Sequence, residues 1–187
     1  MFNEDLTRAI LDGRFEETDE GIFVPTSRVM VGGVFCYHKR GEPEEFTPNL
    51  FVVEGLNYLL NAGLKAGTPS TTWFIAPFSG DVTVQSTWTA ANFTANSTEV
   101  TAYASATRPV WTGGSVASGT VNSFAAKAEF TATADGVIIR GAGMVSASAK
   151  SATTGTLLAA SKFNSAKTLD TGEILDIGYG LTLTAVV

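Results

Sequence analysis

A chain of 187 residues has room for one domain with a full-size core plus an appendage, and not for two ordinary domains. Apolar residues make up 44% of it and charged residues only 16%, against a usual charged share of roughly 25%. The single cysteine, Cys36, excludes an intrachain disulfide and a cysteine-rich zinc site, the single histidine, His38, excludes histidine-rich metal sites, and a net charge of −6 argues against a surface that coats nucleic acid.

Charge divides the chain. Residues 1–54 hold eleven acids against five bases and so carry the whole net charge, while the rest is balanced. Residues 1–22 read as an acidic N-terminal arm. Within it Phe2, Leu6 and Ile10 recur at i, i+4, i+8, the stripe of a short helix that is marginal alone in water and needs a surface to dock on. No apolar core flanked by positive charge is visible there, so a signal peptide is not expected. The acidic run Glu16-Glu17-Thr18-Asp19-Glu20 lacks the spaced ligands and glycine of a calcium loop and reads as a solvated tether.

Residues 23–187 read as one β domain. The stretch from Ile22 to Tyr37 is β-prone, broken at Pro25 and Gly32-Gly33, and residues 38–49 read as a charged turn and loop. A helix is predicted over about 49–61, because Val53, Leu56, Leu60 and Leu64 recur at helical spacing between the start signal Pro48-Asn49 and the stop signal Gly63. Its apolar stripe is expected to cover an open end or edge of a sheet, a partner-binding face being the alternative. The stretch is interrupted by Glu54, Asn57 and Asn61 and is shorter than the roughly 20 apolar residues of a membrane span, so no membrane partner is expected.

From Gly67 to Val187, 55% of residues are Ala, Ser, Thr or Gly, yet apolar residues recur at period two. Strands are predicted at 71–78, 99–105, 124–132, 137–146, 156–163 and 173–185, with a further candidate at 82–88. Asp135-Gly136 is a hairpin signal, and the last strand should turn Leu175, Ile177, Tyr179, Leu181 and Leu183 to a core. The fold class is all-β: an antiparallel β-sandwich, jelly-roll-like or alternatively immunoglobulin-like, with one short α-helix.

Chemistry finds little footing. Cys36 and His38 share a strand face, but the pattern of a cysteine nucleophile also wants an orienting Asn or Asp and an oxyanion hole. Asp135, Asp170, Glu173 and Asp176 are the carboxylates a glycoside hydrolase would need in pairs, and turn duty explains Asp135 and Asp170 more economically. Gly141-Ala142-Gly143 lies inside a strand pattern and is no dinucleotide loop. Trp73, Trp88 and Trp111 suit a core as well as a sugar platform. No catalytic residue, cofactor or metal is expected.

The segment Asn49-Leu50-Phe51-Val52-Val53-Glu54-Gly55-Leu56-Asn57-Tyr58-Leu59-Leu60 resembles the NLVVNEGLNYLL helix of a family of small tailed-bacteriophage virion proteins, with Phe51 and Val53 as mild departures. Thr72-Trp73-Phe74, Thr98 to Tyr103, Arg108-Pro109-Val110-Trp111, Gly143 to Ser146 and Gly155 to Ala159 follow in a similar order, so the resemblance covers roughly residues 28–187. It implies a non-enzymatic capsid decoration or cement protein, made in the bacterial host cytoplasm and placed on the capsid surface. Its partners would be the major capsid protein and further copies of itself, as dimer or trimer. A tail-fibre, baseplate or adhesin component binding a cell-surface glycan through Trp88 or Trp111 is the alternative.

Overall fold

Period-two apolar patterns put most of the backbone into strands. The structure is a computed structural model that describes Phe15–Glu17, Phe23–Pro25 and residues 28–186, with side chains described over residues 29–185. The elements in chain order are β1 (Phe15–Glu17), β2 (Phe23–Pro25), β3 (Arg28–Lys39), β4 (Glu45–Pro48), β5 (Leu50–Phe51), α1 (Val53–Leu64), β6 (Trp73–Phe78), α2 (Ala90–Ser97), β7 (Val110–Trp111), β8 (Thr120–Asn122), β9 (Ala128–Thr131), β10 (Val137–Val145), β11 (Leu157–Leu169) and β12 (Ile174–Val186). One sheet has the order β5-β11-β10-β6-β7, and the other β4-β3-β12-β8 with β9 also on β12. All pairings are antiparallel, so the expected antiparallel β-sandwich is the fold.

The two sheets meet through Phe35 and Tyr37 of β3, Phe130 of β9 and Leu175, Ile177 and Tyr179 of β12, against Ile75 of β6, Ile139, Ala142 and Met144 of β10 and Ala159 and Phe163 of β11. Tyr37 stacks on Phe163 across the layers, ring centroids 3.8 Å apart and 5° from parallel. Along β12 the predicted alternation holds for Leu175, Ile177 and Tyr179, all fully buried. It then fails at Leu183, which is 43% exposed, because β3 and β12 continue past the core as a two-stranded ribbon carrying exposed Val29 and Met30.

The first sheet is covered on its other face as well. Ala76 and Phe78 of β6, Val145 of β10 and Leu157 and Ala160 of β11 form a second cluster with Val52, Trp88, Ala90 and Phe93. The central strands are therefore buried on both sides, which is why β10 reads as a nearly continuous apolar run rather than an alternation.

Several sequence expectations need correction. The helix starts at Val53 rather than 49, since Leu50 and Phe51 are drawn into the sheet opposite Ala160 and Ala159. A second helix, α2, was not expected. With Phe93 as its one large apolar residue it has no stripe to reveal it, and its start is fixed instead by the Thr89 N–H donating to Asn92 Oδ1 at 2.9 Å. Residues 38–49 are not all loop, because β3 runs on to Lys39 and β4 pairs back on it. Segments 82–88 and 99–105 are not strands, the latter making only isolated bridges from Glu99 to Phe78 and from Tyr103 to Ala132. Strand 124–132 shortens to Ala128–Thr131, with 124–127 turning instead. Asp135-Gly136 is no hairpin, for β9 belongs to one sheet and β10 to the other, and the turn carries the chain between layers. β1 and β2 pair with each other as a separate two-stranded sheet, Phe15 opposite Pro25.

A buried ion pair secures the long connections. Arg108 Nε and Nη2 donate to the two carboxylate oxygens of Glu99 at 2.8 and 2.6 Å, with both side chains essentially out of solvent. Arg108 Nη1 donates to the Ala147 carbonyl, and Glu99 Oε2 also accepts from Thr94 Oγ1 and the Ser151 N–H. One pair thus binds α2, segment 98–109 and loop 146–155 together. Removing one partner leaves an uncompensated charge, which costs about 3–5 kcal/mol, whereas replacing both with apolar residues costs far less. Arg108→Met should therefore lower the melting temperature by about 10 °C, and Arg108→Met with Glu99→Leu should regain most of that loss in thermal denaturation. Equal losses in the single and double variants would show that stranded charge is not the cause.

Candidate functional site

Helix α1 is fixed by its inward face. Val52, just before it, is fully buried. Glu54 Oε2 accepts from the Ala90 N–H at 2.8 Å and the Leu157 N–H at 2.7 Å, so one carboxylate holds the first turn of α1 to the start of α2, where the helix dipole favours negative charge, and to the start of β11. Gly55 lies against the Leu158 backbone so closely that a Cβ would stand 2.1 Å from the Leu158 carbonyl oxygen, so only glycine fits. One turn on, the Tyr58 hydroxyl accepts from the Ser70 N–H at 2.6 Å and its ring meets Trp73 edge-on at 5.1 Å, while Leu59 packs against the main core.

With Glu54, Gly55, Tyr58 and Leu59 turned inward, a helix of 3.6 residues per turn must turn Val53, Leu56, Leu60 and Leu64 outward. They are 51, 37, 56 and 79% exposed. The predicted apolar stripe thus lies on the opposite side from the sheet, which corrects the expectation that it would cover a sheet end or edge. Along one flank runs a cleft of about 630 Å³ between α1 and residues 86–89, lined by Val53, Asn57, Asn61, Ser86, Thr87 and Trp88. The sequence displayed the stripe but gave no sign of its direction; the informative residue was Gly55, mid-helix, where glycine marks a close approach.

The other sequence candidates are placed as follows. Phe2, Leu6 and Ile10 lie outside the described residues. Cys36 and His38 do share a face of β3, with Asp176 of β12 opposite His38 and its carboxylate 3.7 Å from His38 Nε2. The Cys36 thiol is fully buried, and burial, with Glu44 adding to it, pushes its pKa from 9.0 to about 12, which holds it in the unreactive protonated form. Asp176 is engaged by both Arg40 Nε and Arg40 Nη2, and Glu173 by Lys39 Nζ at 2.6 Å. Asp135 Oδ1 accepts from the Thr171 N–H and Asp170 Oδ1 from the Gly136 N–H, so the two turns that cross between the sheets brace each other. Turn duty is what these two carboxylates perform.

Trp88 is only 5% exposed, edge-on to Phe78 and Phe93, and so presents no stacking platform. Trp111 is half-buried and its indole N–H donates to the Tyr179 carbonyl at 2.9 Å. Gly143, in the strand segment excluded as a dinucleotide loop, lies beneath the Phe93 ring. Among the described residues no group of three or more His, Cys, Asp or Glu is placed to hold a metal ion, and no helix is long and apolar enough to cross a membrane. Compared with models of known protein families, with curated proteins and with solved structures, the chain matches none.

Three measurements check these placements. Gly55→Ala should cost about 3 kcal/mol through the clash with Leu158, read as a lowered denaturant midpoint with unchanged slope; an unchanged midpoint would show that α1 is not held against β11. Cys36, Tyr103 and Tyr179 all have pKa values raised chiefly by burial. The folded state therefore keeps protons that the unfolded chain releases above about pH 9, so stability should fall as pH rises from about 9 upward. The native thiol should resist alkylation at pH 8 and react fully once the chain is unfolded; rapid native alkylation would contradict the burial.

Proposed function

We propose that this chain is a non-enzymatic structural component of a bacteriophage particle, of the capsid decoration or cement type, acting by covering and clamping neighbouring protein surfaces. The observation that carries the reading is the rigid, outward-facing aliphatic stripe of α1. Scattered exposed leucines are ordinary, but a row of aliphatic residues along one helix, pinned from behind by a carboxylate, a glycine contact and a tyrosine, is a preformed contact surface. The exposed end of the β3–β12 ribbon, with Val29, Met30 and Leu183, offers a second one. The acidic leader supplies charge for a basic shell surface, and its stripe of Phe2, Leu6 and Ile10 is suited to docking on an adjacent subunit.

The partners in this reading are the major capsid protein and further copies of this chain, as dimer or trimer. The resemblance of residues 49–60 to the helix of small virion proteins points the same way. A glycan-binding tail component draws less support, because such a role wants exposed aromatic rings, whereas Trp88 is buried and Trp111 is half-buried with its indole N–H bonded to the Tyr179 carbonyl.

A map of the particle with this chain located in it tests the proposal: density on the capsid lattice is expected, and density at the tail would favour the glycan-binding reading. Removing residues 1–14, which leaves the β1–β2 ribbon in place, should weaken particle binding at least about tenfold, since burying even one of the three apolar side chains is worth about 1.5–3 kcal/mol. Full occupancy of particles by the truncated chain, measured by quantitative gel densitometry, would remove the leader from the mechanism.

A further inference from the structure

We infer that the Asp135-Gly136 turn is a covalent modification site, where aspartate converts to isoaspartate, and that the facing turn at Asp170 to Glu173 holds it unreacted in the folded chain. The site belongs to the fold and is independent of any role on a particle.

An aspartate followed by glycine is open to this reaction because the second residue has no side chain to hinder attack. The Gly136 nitrogen gives up its proton and attacks Cγ of the Asp135 carboxyl in its neutral, protonated form. A C–N bond forms, a C–O bond breaks and one water leaves, giving a five-membered cyclic imide. Water then adds at the former backbone carbonyl of Asp135, and the main chain runs on through Cβ and Cγ. The product holds the same atoms as the starting chain with one more carbon in its backbone, which would lengthen a crossing between the two sheets. Asp12-Gly13 is the other pair of this kind in the sequence.

Both reacting groups are engaged from the facing turn. The Gly136 N–H donates to Asp170 Oδ1 at 3.1 Å, and a carboxylate on that proton opposes its loss. Asp135 Oδ1 accepts from the Thr171 N–H at 2.9 Å. That bond, with the Thr171 side chain adding to it, holds the Asp135 carboxyl below its ordinary pKa, so the neutral form that reacts is scarcer. The two turns are locked side by side, because the Gly172 N–H donates to the Ala132 carbonyl and the Ala132 N–H to the Glu173 carbonyl, both at 2.9 Å. On either side of them Thr131 pairs with Ile174 in one sheet and Val137 with Leu169 in the other. Asp135 and Gly136 are exposed, so these bonds rather than burial protect the pair. Gly136 has a φ of 69°, a conformation that favours glycine, so the turn keeps the reactive dipeptide and restrains it.

The test ages the full-length chain at neutral pH and maps isoaspartate by digestion and mass spectrometry, which separates Asp135 from Asp12. The native chain should convert at Asp135 at least about tenfold more slowly than the same chain unfolded in guanidinium chloride, since one hydrogen bond to a charged group changes a rate by about that factor. Equal rates overturn the inference. Asp170→Ala frees the Gly136 N–H and should raise the native rate about tenfold. Asp170→Asn keeps an acceptor of the same shape without the charge and should raise it less. A native rate unchanged in both variants overturns the inference. Gly55→Ala separates bracing from global opening, because it acts through Leu158, at the other end of β11 from Leu169. Its conversion rate at Asp135 should match that of the unaltered chain. A rise equal to that of Asp170→Ala overturns the inference, since loss of stability alone would then account for both.

Discussion

Strands β6 and β10 and the first five residues of β11, Leu157 to Ser161, are buried on both faces, and a strand with two buried faces needs two covers. One cover is the second sheet, joined through the Tyr37–Phe163 stack and the row Leu175, Ile177 and Tyr179. The other is irregular: α2, with Phe93 beneath it, and the segment that brings in Trp88. Irregular covers do not hydrogen-bond to a sheet in register, so polar side chains must fix them. Glu54 holds α2 at its start, and the Arg108–Glu99 pair holds it at its end, along with the 146–155 loop. Both devices are carboxylates that accept from donors on other elements: Glu54 Oε2 from the Ala90 and Leu157 N–H groups, and both oxygens of buried Glu99 from Arg108.

The same requirement decides what the molecule offers to others. Because Glu54 must face Ala90 and Leu157, and Gly55 must face Leu158, α1 has no freedom to rotate. Its Val53, Leu56, Leu60 and Leu64 are left in water as a consequence of securing the cover on the first sheet. The acids outside this region serve geometry as well. Asp135 and Asp170 brace two turns, Glu173 meets Lys39, and Asp176 of the central strand β12 meets Arg40.

Legibility in the sequence followed the range of the interaction. β12 was read almost to the residue, because alternation of Leu175, Ile177 and Tyr179 is local and one face meets one core. The turn at Asp170 to Glu173 was equally readable, since Asp170 and Glu173 bond each other within it, although the Asp170 carboxylate reaches Gly136 rather than its own turn. Segment 99–105 misled, because Val100 and Tyr103 are buried from a loop rather than from a strand, and burial leaves the same apolar mark on either. α2 escaped notice because Phe93 is its one large apolar residue, so no stripe marks it, and the carboxylate that holds its start, Glu54, is 36 residues away. Of the contact surface, the stripe on α1 was visible and its direction was not.

The sequence by itself determined the all-β class, a helix in this region, read as about 49–61, the acidic character of the N-terminal segment and the turn residues, all of which rest on neighbours within a few positions or on bulk composition. Only the tertiary structure decided which sheet each strand joins, that the Asp135-Gly136 turn crosses between layers, and that Glu99 and Arg108 meet in the interior. It also decided that α1 turns its aliphatic row away from the body. That orientation is set by a contact of Gly55 with Leu158 too close to admit a Cβ and by two amide donors distant in sequence, and no periodicity within the helix can encode which of its sides another part of the chain will claim.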